Sequence, residues 1–346
     1  MNKLRFAMIL LLLISANTFA NIAGKPVILV HGFDTDELAN PASSEQVLLE
    51  RSIAYFGEFW SDKASKHFYW PSSERVAGEI KNQFRRHFED ISQSGLCQEG
   101  CIFVTHSAGD LVLRDAISRL GQWGISGNRV KILLVLDMAG AGGGTELADA
   151  ATTVALGQST NPILSFVVSL FLGFTPTPAT LGVINDLRPV DARNIAQQAQ
   201  TVPRLRFVGT APNEIGNNFV LGLGDGVVPL HSACGSTQQE VLLSCSSFIT
   251  NFGALVNTLG PSAYLPNHYP VIMGELVNHS QVINNERVGG IFVPVANNFN
   301  LSGVNVGFRE GVQIFPWAPG ISIRFLFGSN QKSMSQQIYD TLNQIN

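Results

Sequence analysis

Residues 102–110 read Ile-Phe-Val-Thr-His-Ser-Ala-Gly-Asp, an apolar run that breaks at a serine and passes into the helical pattern Leu-Val-Leu-Arg-Asp-Ala-Ile-Ser-Arg-Leu. A serine on a sharp turn between a buried strand and a helix is the layout of a nucleophile elbow. Its hydroxyl is a useful nucleophile only when held clear of the sheet and beside a base. Such a turn packs backbone against backbone and needs small neighbours, which Ala108 and Gly109 supply; the position two before the serine, commonly glycine, is Thr105. Ser107 is the candidate nucleophile. The plainer alternative is a strand-to-helix turn whose serine only caps the helix.

An acid and a base must follow it, in that chain order for a strand–turn–helix site. Asp225 stands between glycines in Leu-Gly-Leu-Gly-Asp-Gly-Val-Val-Pro-Leu, a loop's length after the apolar run 204–209. A carboxylate there would fix the imidazole tautomer and stabilise the imidazolium. Asp-Gly is also a common turn pair, and Asp137, closing the run 130–137, is the rival acid. His279 follows the run 271–277 directly, where a base loop belongs; His268 precedes that run and is its rival, and His231 reads as a rim residue. Histidine suits the role because its pKa lies near working pH.

The second motif is Val-Ile-Leu-Val-His-Gly-Phe, residues 27–33. The loop after such a strand supplies one backbone N–H to an oxyanion and the residue after the nucleophile supplies the other. Phe33 and Ala108 are the candidate donors, together worth a few kcal/mol of transition-state binding. His31 lies before the serine, on the strand that feeds this loop, and reads as structural.

The elements that must position these residues are legible as alternation. Apolar runs of buried-strand type fall at 26–30, 66–70, 101–105, 130–137, 204–209 and 271–277, with helical patterns at 45–57, 72–91, 110–122 and 191–200. This predicts an α/β protein with a mostly parallel central sheet and helices on both faces. In 72–91 the apolar positions 76, 80, 84, 88 and 91 form one helix face, with Ser73 as the expected cap. The stretch 291–328 reads as strands or hairpins packed on the core, followed by a final helix at 331–345; the purpose of this C-terminal extension (291–346) is not legible.

Residues 1–20 have the pattern of a secretory signal: Lys3 and Arg5, then an apolar core at 6–15, then small residues Thr18 and Ala20 before Asn21. The apolar core is too short to span a bilayer. This implies a secreted or periplasmic protein, with 21–346 as one catalytic domain. The formal charge of −4, which loses two positive charges with the leader, gives no basic field for nucleic acid. Apolar residues at 45% against 14% charged leave ample material for a large core. The four cysteines of an exported chain are expected to pair locally, Cys97 with Cys101 and Cys234 with Cys245; their spacing is not that of a zinc site.

An insertion at 141–190 opens with Ala141-Gly142-Gly143-Gly144 and carries an almost wholly apolar run at 163–174. Its place between two core strands predicts a cap or lid offering apolar surface to a lipid; a buried core helix is the alternative. Gly142–Gly144 and the segment around Pro176 and Pro178 are the expected hinges, and a second apolar stretch, 246–260, would complete the cap.

With these residues in hand, the chain resembles the bacterial secreted lipases and esterases of the α/β-hydrolase superfamily, over most of the first 285 residues. Val-His-Gly-Phe is similar to their oxyanion motif, Thr-His-Ser-Ala-Gly to their elbow, and Gly-Gly-Gly-Thr-Glu-Leu-Ala-Asp (142–149) to the segment before their lid. Gly-Asp-Gly-Val-Val-Pro-Leu-His resembles the acid segment and Asn-His-Ser-Gln-Val the base segment. The resemblance implies an α/β-hydrolase fold with a lid and a Ser107–Asp225–His279 triad. It implies carboxylic esters, above all lipid acyl esters, as substrates, transient contact of the lid with a lipid interface, and no cofactor. A small-ester esterase, a thioesterase, an acyltransferase or a non-catalytic binder on the same scaffold are the alternatives. Many of those lipases hold a calcium ion through an aspartate two residues after the base; here that position is Gln281, a weaker ligand for a hard cation, so no metal is expected.

Overall fold

The computed structural model describes residues 21–198, 200–211, 219, 222, 224–239, 255–256, 265, 268–286, 291–293, 299–301, 304–306, 311–314, 322–327 and 332–343. Residues 1–20 (the expected leader), Cys245 and most of 246–260 lie outside the described residues.

Each of the six apolar runs forms the strand expected of it, and two short strands, the first and seventh of the series, lie outside those runs. These are β1 (Asn21–Ile22), β2 (Lys25–Val30), β3 (Lys66–Phe68), β4 (Cys101–His106), β5 (Ile132–Met138), β6 (Arg204–Thr210), β7 (Leu255–Val256) and β8 (His268–Glu275). Strands β3-β2-β4-β5-β6-β8 lie side by side and parallel in that order. The chain leaves β2 toward one edge to make β3, then returns to the other side of β2 for β4 and all later parallel strands. The reversal between β2 and β4 is a topological switch point, where ligands bind at the carboxyl ends of open α/β sheets. Beyond β8 the order continues antiparallel through β9 (Ile291–Val293), with β10 (Phe299–Leu301), β11 (Val304–Val306), β12 (Gly311–Ile314) and β13 (Ser322–Phe327) forming hairpins, as the sequence suggests. Residues 255–256 pair with β13, so this part of 246–260 joins the C-terminal strands rather than the cap.

Side chains divide by parity between two cores. Ile28, Val30, Phe103 and Val135 join one cluster with Phe84, Phe88 and Leu111. Val27, Leu29, Ile102, Val104, Leu134 and Leu136 join the other with Phe56 and Trp60. Both faces are thus covered, which is why these strands read as unbroken apolar runs. The covering helices are α1 (Thr35–Ala39), α2 (Glu45–Ser61), α3 (Lys81–Ser94), α4 (Ala108–Arg119), α5 (Glu146–Ala155), α6 (Pro162–Leu172), α7 (Pro189–Ala196), α8 (Leu230–Ala233) and α9 (Met334–Asn343). Strand order, doubly covered sheet and the turn after β4 make this an α/β-hydrolase fold.

The expected helix at 72–91 is shorter and begins with a π-turn, Val76–Ile80, where Gly78 leaves helical geometry at ψ −126°. Ser73 does not cap it; its N–H and hydroxyl both donate to the Glu37 carboxylate. Residues 76, 80, 84, 88 and 91 are all buried, as the periodicity requires.

In the insertion, Asn161 accepts hydrogen bonds from the Ile163 and Leu164 amides, Pro162 opens α6 and Gly173 closes it at φ 79°. Val168 and Leu172 face inward. On the other side Ile163 (66%), Phe166 (66%) and Leu170 (60%) are exposed, which a buried core helix would not permit. No helix among the described residues is long and apolar enough to cross a membrane. The hinge expected at Gly142–Gly144 is instead a packed turn. A Cβ on Gly142 would reach Asp110 Oδ2 at 2.6 Å, one on Gly143 Ser232 Cα at 2.8 Å, and one on Gly144 Leu187 O at 2.5 Å. These glycines serve close approach rather than motion.

Candidate active site

The turn after β4 is strained in the way an elbow requires. Ser107 has φ 55° and ψ −128°, a conformation costing a non-glycine residue about 1–3 kcal/mol. Three backbone bonds hold it there: Ser107 N–H to Met138 O at 3.1 Å, Ala141 N–H to Ser107 O at 2.9 Å and Asp110 N–H to Ser107 O at 3.2 Å. The small neighbours are needed because α4 lies directly on β2; a Cβ on Gly109 would stand 2.5 Å from the carbonyl oxygens of both Val30 and His31. Thr105 is accommodated because its side chain points along the buried sheet, Oγ1 donating to Leu136 O at 3.5 Å.

Gly32 allows the second close approach, since a Cβ there would meet Ser107 Cβ at 2.7 Å. Phe33, the next residue, lines the same cavity as Ser107. Ala108 opens helix α4 and is buried beside the serine, so its N–H is one of the unpaired amides of a helix start, favourable to negative charge. His31 is structural, as expected. Its Nδ1–H donates to Gly32 O at 2.7 Å, its Nε2 accepts from Trp70 N–H at 3.1 Å, and its ring stacks on Trp70 at 5.0 Å. Burial holds its pKa down near 4.

The acid and base meet across 54 residues of chain. His279 Nδ1–H donates to Asp225 Oδ2 at 2.8 Å, and the His279 backbone N–H donates to Asp225 O at 2.9 Å. The other carboxylate oxygen, Oδ1, accepts from the amides of Val227 (3.0 Å) and Val228 (2.8 Å). The turn-forming tendency of Asp-Gly and the pairing with His279 are therefore one arrangement: the turn amides fix the carboxylate that holds the imidazole. With Nδ1 protonated toward Asp225, Nε2 is left as the basic nitrogen. Gln281 shapes this loop, its Oε1 accepting from Asn278 N–H at 2.9 Å while its own N–H donates to Asn278 Oδ1 at 3.0 Å.

Ser107, at 5% exposure, and His279 line one cavity of about 280 Å³ with Leu147, Val168, Leu172 and Leu187. Its far wall is made by α5 and α6, so the insertion closes over the serine. Among the described residues the Ser107 hydroxyl has no hydrogen-bond partner, a looseness common before substrate arrives.

The rivals fall elsewhere. Asp137 is buried under the elbow in an ionic cluster. There Asp110 accepts from Arg114 Nε at 2.8 Å and Arg204 Nη1 at 2.5 Å, and Arg114 approaches Asp137 at 4.0 Å. Burial, then the Asp110 charge, push the Asp137 carboxyl up to about 8 against three neighbouring guanidiniums. His268 starts β8 beside Arg204, a strand's length from the carboxyl ends where the serine sits. His231 is not on the rim; it is fully buried, Nδ1 accepting from Arg193 at 2.8 Å and Nε2–H donating to Glu146 at 2.8 Å. No group of three or more His, Cys, Asp or Glu able to hold a metal occurs among the described residues. Cys97 is bonded to Cys101, and Cys234 is disulfide-bonded too.

Two residues at the site escaped the sequence reading. His106, inside the Thr-His-Ser motif, and Tyr55, on α2, both line the cavity and touch each other, Oη to Nδ1 at 2.6 Å. His106 could have been noticed for its place beside the serine; nothing in the sequence links Tyr55 to it.

Comparison with family models and with curated proteins returned no match. Among solved structures, the chain is similar to the Bacillus licheniformis lipase BlEst2, at 13% identity over 76% of this chain and 87% of that one, with a TM-score of 0.44. It is also similar to EstA from Clostridium botulinum, at 14% identity over 78% and 85% with a TM-score of 0.40. A third likeness is to the Staphylococcus hyicus lipase, at 12% identity over 75% and 88% with a TM-score of 0.39. Likeness at this level carries no inference about chemistry, which rests on the geometry above.

Proposed function

We propose that the protein is an exported serine hydrolase of carboxylic esters whose substrates are lipid acyl esters. The observation that carries this reading is the Asp225–His279 hydrogen bond of 2.8 Å, with the strained Ser107 turn on the wall of the same apolar cavity. The acyl chain lies between α5 and α6. His279 Nε2 takes the Ser107 proton as Oγ attacks the ester carbonyl, and the Phe33 and Ala108 amides hold the oxyanion. The tetrahedral intermediate collapses, the alcohol leaves with the proton from Nε2, and an acyl-serine remains. Water, deprotonated by the same nitrogen, releases the acid and restores the serine.

The apolar outer face of α6 supports transient contact with a lipid surface, since Leu170 and Phe171 of that helix also border the groove beside His279. Export is supported by the leader pattern and by disulfide bonding, which persists in oxidising compartments.

The test is hydrolysis of p-nitrophenyl esters from short to long acyl chains by wild type and Ser107→Ala. Cleavage of long chains by wild type alone is expected. A sharp fall beyond short chains removes the lipid assignment, and equal activity of the two proteins removes the serine mechanism.

A further inference from the structure

Helix α2 contributes two donors that no step of the proposed reaction uses. His106 Nε2 lies 2.9 Å from the carbonyl oxygen of His279, and His106 Nδ1 lies 2.6 Å from Tyr55 Oη. The partners assign the protons: a carbonyl only accepts, so Nε2 carries the ring hydrogen, and the tyrosine hydroxyl donates to Nδ1. Past a break at Gly57 (φ 62°, ψ −177°), the same helix supplies Trp60, whose Nε1–H donates to Ser335 Oγ at 3.0 Å. Ser335 Oγ–H in turn donates to Val282 O at 3.2 Å. Two relays thus leave one helix and end on carbonyls three residues apart in the loop that carries the base.

We propose that Tyr55 and His106 are positioning residues for the catalytic imidazole, setting where His279 Nε2 stands relative to Ser107. The inference rests on the proposed triad. Its physical content is a count of the polar groups of His279. Nδ1 is held by Asp225 Oδ2, the backbone N–H by Asp225 O, and the backbone carbonyl by His106. Among the described residues only Nε2 is left free, and it is the atom that must move a proton. The His106 ring also limits the swing of the imidazole, standing 4.4 Å from it at 40°. Tyr55 further ties this loop to the oxyanion turn, because its hydroxyl fills the space over Gly32 where a Cβ would otherwise fit. Burial, then the charge of His279, keep the His106 pKa well below the usual histidine value, so no second positive charge opposes the imidazolium when it forms.

The experiment compares Tyr55→Phe, His106→Leu and His106→Gln in the full chain, with two readouts. One is kcat and KM on a p-nitrophenyl ester. The other needs no substrate: the low-field proton resonance of the His279 Nδ1–H in the bond to Asp225. Tyr55→Phe, which keeps the ring and its packing, is expected to lower kcat about tenfold, and His106→Leu about 10²-fold, with KM changed less than about twofold. His106→Gln can still donate to the carbonyl and accept from Tyr55, and recovers most of kcat. The double variant Tyr55→Phe/His106→Leu is no slower than His106→Leu alone, since the two act as one unit. The resonance broadens or shifts in His106→Leu and returns in His106→Gln. Full kcat in both Tyr55→Phe and His106→Leu with an unmoved resonance overturns the proposal, as does glutamine performing no better than leucine. A wild type that cleaves no ester, yet whose resonance responds as described, sinks the esterase reading and leaves the positioning intact.

Discussion

Gly109→Ala tests whether the elbow is set by contact between α4 and β2. The added methyl would stand 2.5 Å from two backbone carbonyl oxygens, those of Val30 and His31, and ordinary contact begins near 3.4 Å. Neither oxygen is the end of a flexible side chain. His31 O is further held by Trp70 Nε1–H at 2.9 Å, and its strand is hydrogen-bonded between β3 and β4. The start of α4 must therefore move away from β2 by about 0.9 Å, carrying Ser107 and Ala108 with it and opening the gap to Phe33. Overpacking of this kind costs about 1–3 kcal/mol, which for a chain of this size lowers Tm by roughly 2–5 °C. The larger effect is catalytic, because a displacement near 1 Å in a reacting constellation lowers the rate about 10²-fold. The assay is kcat and KM on a p-nitrophenyl ester together with thermal unfolding. Gly121→Ala, beyond the other end of the same helix, is the control, since a Cβ there meets nothing within 4 Å. If Gly109→Ala keeps kcat within about twofold of wild type, contact with β2 does not set the position of Ser107 and the reasoning fails.

Asp225→Asn keeps an acceptor for the Val227 and Val228 amides, so the turn survives while the imidazole loses the partner that fixes its tautomer; kcat is expected to fall about 10⁴-fold with KM little changed. His31, His67 and His87 are each held down to about 4 by burial, so between about 4 and 6.5 the unfolded chain takes up protons that the folded chain does not. The urea midpoint should therefore fall as pH drops from about 6.5 toward 4, and His87→Gln should make that slope shallower. Phe166→Ser, on the exposed face of α6, should slow hydrolysis of an emulsified or vesicular lipid ester while leaving a dissolved short ester untouched, and equal loss on both would refute the lipid-surface role.

What could be read from the sequence, and what could not, divides by the range of the interaction. The strands were legible because a sheet covered on both faces leaves continuous apolar runs, and the proposed nucleophile and oxyanion donors stood out because they sit at the ends of two such runs. Asp225 was legible because its turn chemistry is local, bonding amides two and three residues on. The misreadings all involve partners distant in sequence. His231 looked like a rim residue because Glu146 and Arg193, which bury it, lie 85 and 38 residues away. Ser73 looked like a cap because Glu37, its true partner, lies 36 residues upstream. Gly142–Gly144 were misread for a related reason: the absence of a Cβ serves mobility or close packing equally, and only the neighbours decide which. The C-terminal region, silent as sequence, gains its contacts in the same way. Helix α9 meets Trp60 through Ser335 over 275 residues and passes that contact to Val282, three residues from His279. The proposed triad is recognisable in the sequence by residue type and order, but the contacts around the His279 loop come from the second helix and from α9, brought together only when the chain folds.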